Sequence, residues 1–348
     1  MGLSEFIREM PKVELHVHLE GSIQPATLLT LAERNGFPLP ASDQESLEEF
    51  YRFTDFDHFI QTYVTISRCL RTVDDFRLIA YEFGAEMARQ KIRYAEVTFS
   101  PYTHVTNTGL PFAEIVAALD DGRRCSQADF GVEFQWVFDI VRDDPSSQHT
   151  VVRWAASALD QGVVALGLGG TERGYPPEWF AESFAEARAA GLHRVPHAGE
   201  VAGPESVWGA IRHLDAERIG HGVRSEEDPE LVAYLREYQI PLELCLTSNL
   251  CLGVYPSPQD HPIRRLWDQG LYLTINSDDP PMFNTDLVQE YQKLADDLGF
   301  TADKMERLSL NALQASFLPE EQKRAWRQDF LAEFASLRAQ YLNQGEPN

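Results

Sequence analysis

Two histidines lie two residues apart in the apolar run KVELHVH. Because side chains alternate along a β-strand, His16 and His18 would point to the same face of a strand formed by this run. Two neutral imidazoles at that spacing are a ready pair of ligands for a divalent metal ion. An isolated H-x-H motif is more often structural or incidental, so its meaning depends on what the rest of the chain places beside it.

Three later apolar runs also end in groups that bind metal ions or transfer protons. Their ends read PHAGE (residues 196–200), GHG (220–222) and NSDDPP (276–281). Of the ten histidines, those at strand ends are His16, His18, His197 and His221. The others are expected to be surface or internally hydrogen-bonded side chains: His58, His104, His149, His193, His213 and His261. The convergence of these strand ends predicts a divalent-metal site.

Short β-rich runs alternate with longer helical patterns along the chain. Strands are predicted at residues 12–18, 93–99, 134–141, 163–168, 193–197, 218–221, 242–246 and 271–276. This alternation favours an α/β fold, the (β/α)8 TIM barrel, in one domain covering residues 1–348. Such barrels carry their functional side chains at the C-terminal ends of the strands, where the motifs above fall. The alternative is an open doubly wound sheet, although GLGG (167–170) lacks the spacing of a dinucleotide site.

The stretch from about residue 20 to residue 90 departs from the barrel rhythm. It contains the aromatic-rich segment FYRFTDFDHFIQTY. We expect extra helices here that lie over the C-terminal mouth of the barrel and act as a lid that excludes water. Within the stretch, a helix is predicted over residues 72–90, with Thr72 and Asp75 as its capping box. The last helix is predicted over residues 320–343, with a role in packing alone.

Charge and composition argue against several classes of partner. A formal net charge of −24 would repel phosphate backbones and anionic lipids, so we expect neither nucleic acid nor membrane as a partner. No apolar run approaches the roughly 20 residues that span a bilayer, and the start MGLSEFIREMPK lacks the apolar core of a secretory signal. We therefore expect a cytoplasmic chain, for which the sequence predicts no particular oligomeric state and an oligomer is possible. Buried cysteines of a reducing compartment, rather than a metal cluster, are expected at Cys69, Cys125, Cys245 and Cys251.

The motifs together resemble one known family. ELHVHLEGS, PHAGE, RIGHGV and TINSDDPP, in this order between residues 14 and 281, resemble the adenosine deaminase family of the amidohydrolase superfamily, as do YAEVTFSP and LRTVDDF. The resemblance implies a barrel enzyme that deaminates 6-aminopurines by hydrolysis with one zinc ion per chain. The implied zinc ligands are His16, His18, His197 and Asp278, a set without thiolate that is typical of hydrolytic zinc sites. The end of the fourth strand, GLGGTE, offers no lysine that could hold a second metal.

The resemblance also implies roles around the purine ring. Glu200 would protonate N1 as a general acid while water attacks C6. His221 would orient that water, take its proton and stabilise the developing charge. Asp279 would hydrogen-bond N7 and reach the attacking hydroxide, which requires an unusual, coupled protonation state because both partners are acceptors. The backbone N–H of Gly170 would reach N3, where a side chain would block close approach.

The identity of the substrate depends on fewer residues. Glu20 stands where deaminases of the plain nucleoside generally carry an aspartate that reaches the ribose 5′-hydroxyl, and it is expected to contact the substrate together with His18. In having a glutamate at position 20, the chain also resembles relatives that act on free adenine or on nucleosides with an altered 5′ end, such as the 6-aminodeoxyfutalosine deaminases of menaquinone synthesis. The segments PPMFNTDLVQEY and TFSP favour a nucleoside, either adenosine or a 5′-modified analogue. Free adenine is the alternative, and an inactive nucleoside-binding relative is the remote one.

Overall fold

The predicted strands form one nearly closed ring. In a computed structural model that describes residues 2–342, eight parallel strands follow chain order around a single sheet. The strands are β1 (Lys12–His18), β2 (Ile92–Phe99), β3 (Glu133–Val141), β4 (Val163–Gly169), β5 (His193–Ala198), β6 (Ile219–His221), β7 (Leu242–Leu244) and β8 (Leu273–Ile275). This ring confirms the predicted (β/α)8 barrel, and the open doubly wound alternative is wrong.

Helices separate these strands along the chain. Within residues 2–342 they are α1 (Gly2–Glu9), α2 (Pro25–Arg34), α3 (Gln44–Phe50), α4 (Phe56–Ser67), α5 (Val73–Arg89), α6 (Pro101–Thr108), α7 (Phe112–Phe130), α8 (Gln148–Ser157), α9 (Ala181–Ala189), α10 (Pro204–Leu214), α11 (Pro229–Tyr238), α12 (Leu246–Cys251), α13 (Ile263–Asp268), α14 (Leu287–Leu298), α15 (Ala302–Ala315) and α16 (Glu320–Tyr341). The predicted capping box begins α5, where the Thr72 N–H donates to Asp75 Oδ2 over 2.8 Å. The predicted last helix is α16, and its expected final residue, Asn343, lies outside the described residues.

The two ends of the sheet meet through side-chain and backbone contacts of the NSDDPP segment. The side-chain carbonyl of Asn276 accepts from the backbone N–H of Leu15 at 2.8 Å and of His16 at 3.2 Å. Asp278 then pairs with β1, because its N–H donates to the His16 carbonyl at 3.1 Å and its carbonyl accepts from the His18 N–H at 2.9 Å. The first metal-binding motif and the double aspartate are therefore held side by side by the closure of the barrel.

Two strands end earlier than the sequence predicts. The predicted strand at 242–246 stops at Leu244, because the chain turns at Cys245 into α12. The predicted strand at 271–276 covers only Leu273–Ile275, and at Asn276 the side chain takes over the pairing with β1. The other strand ends agree with the prediction to within one residue.

The region between β1 and α5 carries the additional helices that were expected. Three helices, α2, α3 and α4, occupy it. The aromatic segment forms α4 and the turn before it, and its rings pack against the loop after β8: the ring centroids of Phe59 and Phe283 lie 5.3 Å apart, and those of Phe53 and Phe283 lie 5.8 Å apart. Helix α4 is thereby fixed close to the C-terminal end of β8.

A layer of buried charges crosses the barrel interior beneath the histidines. Arg218 donates from Nε to Glu243 Oε1 at 2.6 Å and also pairs with Glu96. The Arg218 guanidinium also lies 3.9 Å from the ring centroid of Phe317. Buried ions of opposite sign satisfy one another in such an arrangement, and removal of one partner would leave an uncompensated charge.

Two of the remaining expectations concern membrane segments and cysteines. Among the residues that the structure describes, no helix is both long enough and apolar enough to span a membrane. Cys69 and Cys245 are buried as expected. The expectation is wrong for Cys251, the last residue of α12, which is exposed, and for Cys125 in α7, which is half-buried.

Candidate metal-dependent active site

The histidines of β1 and β5 meet the first aspartate of the pair at the barrel mouth. His18 Nε2 lies 3.2 Å from His197 Nε2 and 3.3 Å from Asp278 Oδ1. His16 Nε2 lies 3.5 Å from the same carboxylate oxygen. The structure thus brings together all four side chains that the sequence resemblance implied as zinc ligands.

The donor atoms of this group suit a divalent cation. His16 Nε2 is buried and has no hydrogen-bond partner among the described residues. The ligand-capable atoms of His16, His197 and His221 all lie within 4.8 Å of one another. Several imidazole nitrogens and one carboxylate that point at a common buried space form the nitrogen and oxygen donor set that zinc accepts.

Neighbouring groups fix the orientation of these side chains. His16 Nδ1 lies 3.0 Å from Glu243 Oε2, an arrangement in which Nε2 faces His18, His197 and Asp278. A carboxylate behind a histidine ligand is a common feature of metal sites, where it fixes the tautomer and the ring orientation. His221 and Asp278 have left-handed backbones, with φ of 60° and 66°. Such strain in residues other than glycine is found preferentially at functional sites.

Glu200 and His221 lie next to the metal-binding group. His221 Nε2 is 3.8 Å from Glu200 Oε1 and 3.9 Å from Asp278 Oδ2. Burial, reinforced by the charge of Asp278, raises the pKa of Glu200 well above its usual range. Burial and the neighbouring His16 lower the pKa of His221 to about 3. These opposite shifts favour a protonated carboxylic acid beside a neutral imidazole, a pairing of proton donor and proton acceptor.

Asp279 differs from its neighbour in charge state. Burial and the charge of Asp278 raise the pKa of Asp279 well above its usual range. Burial opposes ionisation of Asp278 as well, but the facing rings of His16 and His18, at 3.5 Å and 3.3 Å, hold its pKa well below the usual range. Asp279 Oδ1 has no hydrogen-bond partner among the described residues. A protonated Asp279 is the state that a contact with the acceptor atom N7 of a purine would require.

The site opens into a small cavity under α4. The cavity measures about 100 Å³ and is lined by Asp279, His18 and Gly170, together with Tyr63 and Phe59 from α4. Gly170 has φ of 81°, and a Cβ there would come within 2.6 Å of an Asp143 carboxylate oxygen. The residue must therefore be glycine for its turn as well as for access to its backbone N–H.

Glu20 does not line this cavity. It is buried, and its Oε1 accepts from the Ser100 N–H at 3.1 Å and from His104 Nε2 at 2.8 Å. Glu20 Oε2 has no partner among the described residues. His104 is buried as one of the internally bonded histidines that were expected, yet it holds the residue on which the substrate prediction depends.

Several residues close to the site were not identified from the sequence. Asp139 lines the cavity, and burial raises its pKa to about 7 although His18 and His16 oppose the shift. Glu243 holds His16, and Cys245 Sγ lies within 4.8 Å of ligand atoms of His16 and Asp278. An acidic residue inside an otherwise apolar strand, as in FDIV and LELCL, was the available signal, because unpaired charges are rarely buried.

Comparison with known proteins gives a consistent result. The family model described as adenosine deaminase matches residues 11–332. The chain is 43% identical over 319 residues to an aminodeoxyfutalosine deaminase of Streptomyces avermitilis, covering 91% of this chain and 89% of that protein. It is 37% identical over 317 residues to an adenine deaminase of Bordetella avium, covering 89% and 98% of the two chains.

A solved structure extends the likeness to three dimensions. The zinc-bound amidohydrolase of Burkholderia ambifaria superposes with a TM-score of 0.90 at 29% identity, covering 97% of this chain and 94% of that one. These matches support a divalent metal and a hydrolase that acts on carbon–nitrogen bonds of aminopurines. By its sequence and its fold, the chain belongs to the adenosine deaminase family.

Proposed function

We propose that this enzyme is a zinc-dependent hydrolase that deaminates a 6-aminopurine nucleoside, adenosine or a 5′-modified analogue such as 6-aminodeoxyfutalosine. The products are ammonia and the 6-oxopurine. The observation that carries the proposal is the meeting of two groups at one barrel mouth. A cluster of imidazoles around Asp278 adjoins the buried Glu200, whose pKa is raised well above its usual range.

The metal would be held by His16, His18, His197 and Asp278, one ion per chain. A zinc ion bound there supplies a nucleophile at neutral pH, because it lowers the pKa of its water to about 7. The orphaned His16 Nε2 and the 3.2 Å approach of His18 and His197 support this assignment, since unprotonated ring nitrogens repel one another unless a cation or a proton lies between them.

The protein side chains would then manage the protons. Glu200 donates its proton to purine N1 as the C6–oxygen bond forms, so that negative charge does not build up on the ring. His221, whose low pKa keeps it neutral, takes a proton from the attacking water. The protonated Asp279 donates a hydrogen bond to N7 and keeps its proton, and the Gly170 N–H donates a hydrogen bond to N3. The ring is thereby oriented with C6 towards the metal-binding group. The proton that His221 took then passes to the amino group, which leaves as ammonia, and the proton of the added hydroxyl returns to Glu200 as the 6-oxo group forms.

The preference for a nucleoside has two supports. The higher identity is to an aminodeoxyfutalosine deaminase, at 43% against 37% for the adenine deaminase. A second cavity of about 560 Å³ shares Phe56 and Glu200 with the first, so there is room at the mouth for more than a purine ring. His18 and Glu20 are the proposed contacts to the sugar end, and the Glu20–His104 contact would have to adapt for Glu20 to reach it.

Free adenine is the second candidate. The cavity of about 100 Å³ favours a small substrate, because sites for larger ligands usually measure roughly 300 Å³ or more. Under the nucleoside proposal, residues from about 20 to 90 act as a lid over one barrel domain covering residues 1–348, and the lid opens to admit the sugar.

A substrate panel tests the proposal. Zinc-loaded enzyme is mixed with adenosine, 2′-deoxyadenosine, adenine and 6-aminodeoxyfutalosine, and the ultraviolet shift from aminopurine to oxopurine is followed. We expect the highest kcat/KM for one of the nucleosides. Turnover of adenine alone would reverse the preference, and no turnover of any member would refute the proposed function.

A further inference from the structure

Glu172 has an unusual set of hydrogen bonds. It follows β4 in the segment GGTERG and is buried, with 5% of its surface exposed. Its carboxylate accepts from four consecutive backbone N–H groups, those of Gly199 at 2.5 Å, Glu200 at 3.1 Å, Val201 at 2.9 Å and Ala202 at 2.8 Å. One side chain thus satisfies four of the five backbone donors in the loop between β5 and α10, and the fifth, the Gly203 N–H, donates to Glu205 Oε1 at 3.1 Å.

The backbone of that loop is shaped to receive an anion. Gly199 has a left-handed φ of 70°, and a Cβ there would come within 2.4 Å of Val207. Successive N–H groups converge into a concave nest when left-handed and right-handed residues alternate, and such nests bind anions. In this protein the anion is the carboxylate of Glu172, which comes from the neighbouring βα loop.

The nest lies immediately beside the chemistry. The loop begins two residues after His197 and contains Glu200 itself. His197 has a separate anchor, because Arg142 donates to its carbonyl oxygen and, at 2.7 Å, to that of Tyr175. The contacts of Glu172 therefore fix the part of the loop that carries the proton donor, whereas the metal-binding end is held by another residue.

We propose that Glu172 is a positioning residue for Glu200: its carboxylate holds the 199–202 loop in the nest and so aims the Glu200 carboxyl at the substrate. This inference rests on the proposed function, in which Glu200 is the proton donor. Glu172 touches no reacting atom in this account, since it acts only through the backbone of the loop.

The four backbone N–H donors of the loop require a carboxylate as their acceptor. Two ionised oxygens offer about four lone-pair sites, enough for four N–H groups. Glutamine has the same shape but one acceptor oxygen, and its NH₂ group would face backbone N–H groups that are donors themselves. Glu172→Gln should therefore release part of the loop while the fold around it is retained.

The test compares Glu172→Gln with wild type and with Glu178→Gln, an exposed glutamate on the same connection. We expect Glu172→Gln to keep its zinc content, change KM little and lose kcat by about 100-fold, the cost of roughly 1 Å of misplacement in a reacting group. Glu178→Gln should match wild type. Unchanged kcat in Glu172→Gln, or an equal loss in both variants, would overturn the proposal.

A double variant separates positioning from general structural support. If Glu172 acts through Glu200, then Glu172→Gln in a Glu200→Gln background should lower the residual turnover no further. A full additional 100-fold loss would show an independent role and would contradict the proposal.

Hydrogen exchange gives a readout that does not depend on turnover. The amides of residues 199–202 should exchange faster in Glu172→Gln than in wild type at equal zinc content. If wild type deaminates no 6-aminopurine, the proposed function fails and with it the role of Glu172 in catalysis. Unchanged exchange in an active enzyme would refute the positioning role alone.

Discussion

Adjacent carboxylates at the end of β8 have opposite electrostatic behaviour. Despite its burial, the pKa of Asp278 is held low by the neighbouring histidines of β1. The pKa of Asp279 is raised by burial and by the negative charge of Asp278. The left-handed backbone of Asp278, with φ of 66°, turns the chain between the two residues, so one side chain can serve the metal and the other the purine. The two aspartates thus connect the proposed metal site to the proposed purine site.

The substitution Gly21→Ala tests whether the position of the Asp279 carboxyl orients the substrate. A Cβ at Gly21 would lie 1.7 Å from Asp279 Oδ1, an impossible approach. In Gly21→Ala the Asp279 carboxyl must move, while Asp278 keeps its backbone pairing with β1. We expect normal zinc content and a loss of kcat/KM of about 100-fold or more. Wild-type kcat/KM in a folded, zinc-loaded variant would show that Asp279 does not orient the substrate.

Glu200 tests the assignment of the proton donor. Glu200→Gln keeps the shape of the side chain and removes the acidic proton, so the variant should fold and bind zinc. Turnover should fall by roughly 10² to 10⁴, the usual contribution of general acid–base catalysis. Steady-state kinetics and metal analysis would check this, with Glu178→Gln as the matched control. A fully active Glu200→Gln would rule out the role.

At the scale of elements, α4 covers the cavity of the site and so affects its exposure to solvent. Its residues Phe59 and Tyr63 line the cavity, and Phe59 stacks on Phe283 of the loop after β8 at 5.3 Å. A helix that both lines a site and packs on a loop beside it can close the site when substrate is bound. The small volume of the cavity fits a closed position of this helix.

Phe283→Ala should loosen this closure. The substitution removes the aromatic partner of Phe59, so α4 would spend less time closed over bound substrate. We expect KM to rise more than kcat falls, together with a lower Tm because a buried ring is lost. Phe130→Ala, at an exposed ring, is the control for removal of a phenyl group. An unchanged KM in Phe283→Ala would count against a lid function for α4.

The positions of the elements could largely be predicted from the sequence, whereas their exact ends could not. Alternation of apolar runs located every strand, because burial on both faces leaves a strong signal in parallel sheets. The early ends of β7 and β8 left no such signal in the sequence, since these ends depend on tertiary contacts. At the end of β8, for example, the side-chain carbonyl of Asn276 accepts from the backbone N–H groups of Leu15 and His16. Only the folded barrel brings those groups together.

The same distinction applies to the site. The meeting of His16, His18, His197 and Asp278 could be predicted because each falls at or just after a strand end, and a barrel collects strand ends at one mouth. The supporting groups were missed because Glu243 and Glu172 act through contacts between elements that are distant in sequence. The fate of Glu20 was also beyond prediction, since its burial against His104 depends on how α6 packs beside the site.

At the scale of the whole molecule, the barrel and its chemistry depend on the same segment. The residues that close the sheet between β8 and β1 also carry the proposed metal ligand Asp278. Metal binding should therefore stabilise the closed barrel, because a ligand that binds only the folded state shifts unfolding by mass action. A net charge of −24 would add long-range attraction for the cation.

Removal and return of the metal tests the central claim most directly. The enzyme is stripped with a chelator, and deamination of the best nucleoside of the panel is followed by the ultraviolet shift during titration with zinc. We predict that turnover is lost in the stripped enzyme and returns in proportion to zinc, with saturation at about one ion per chain. Undiminished deamination by metal-free protein would contradict it.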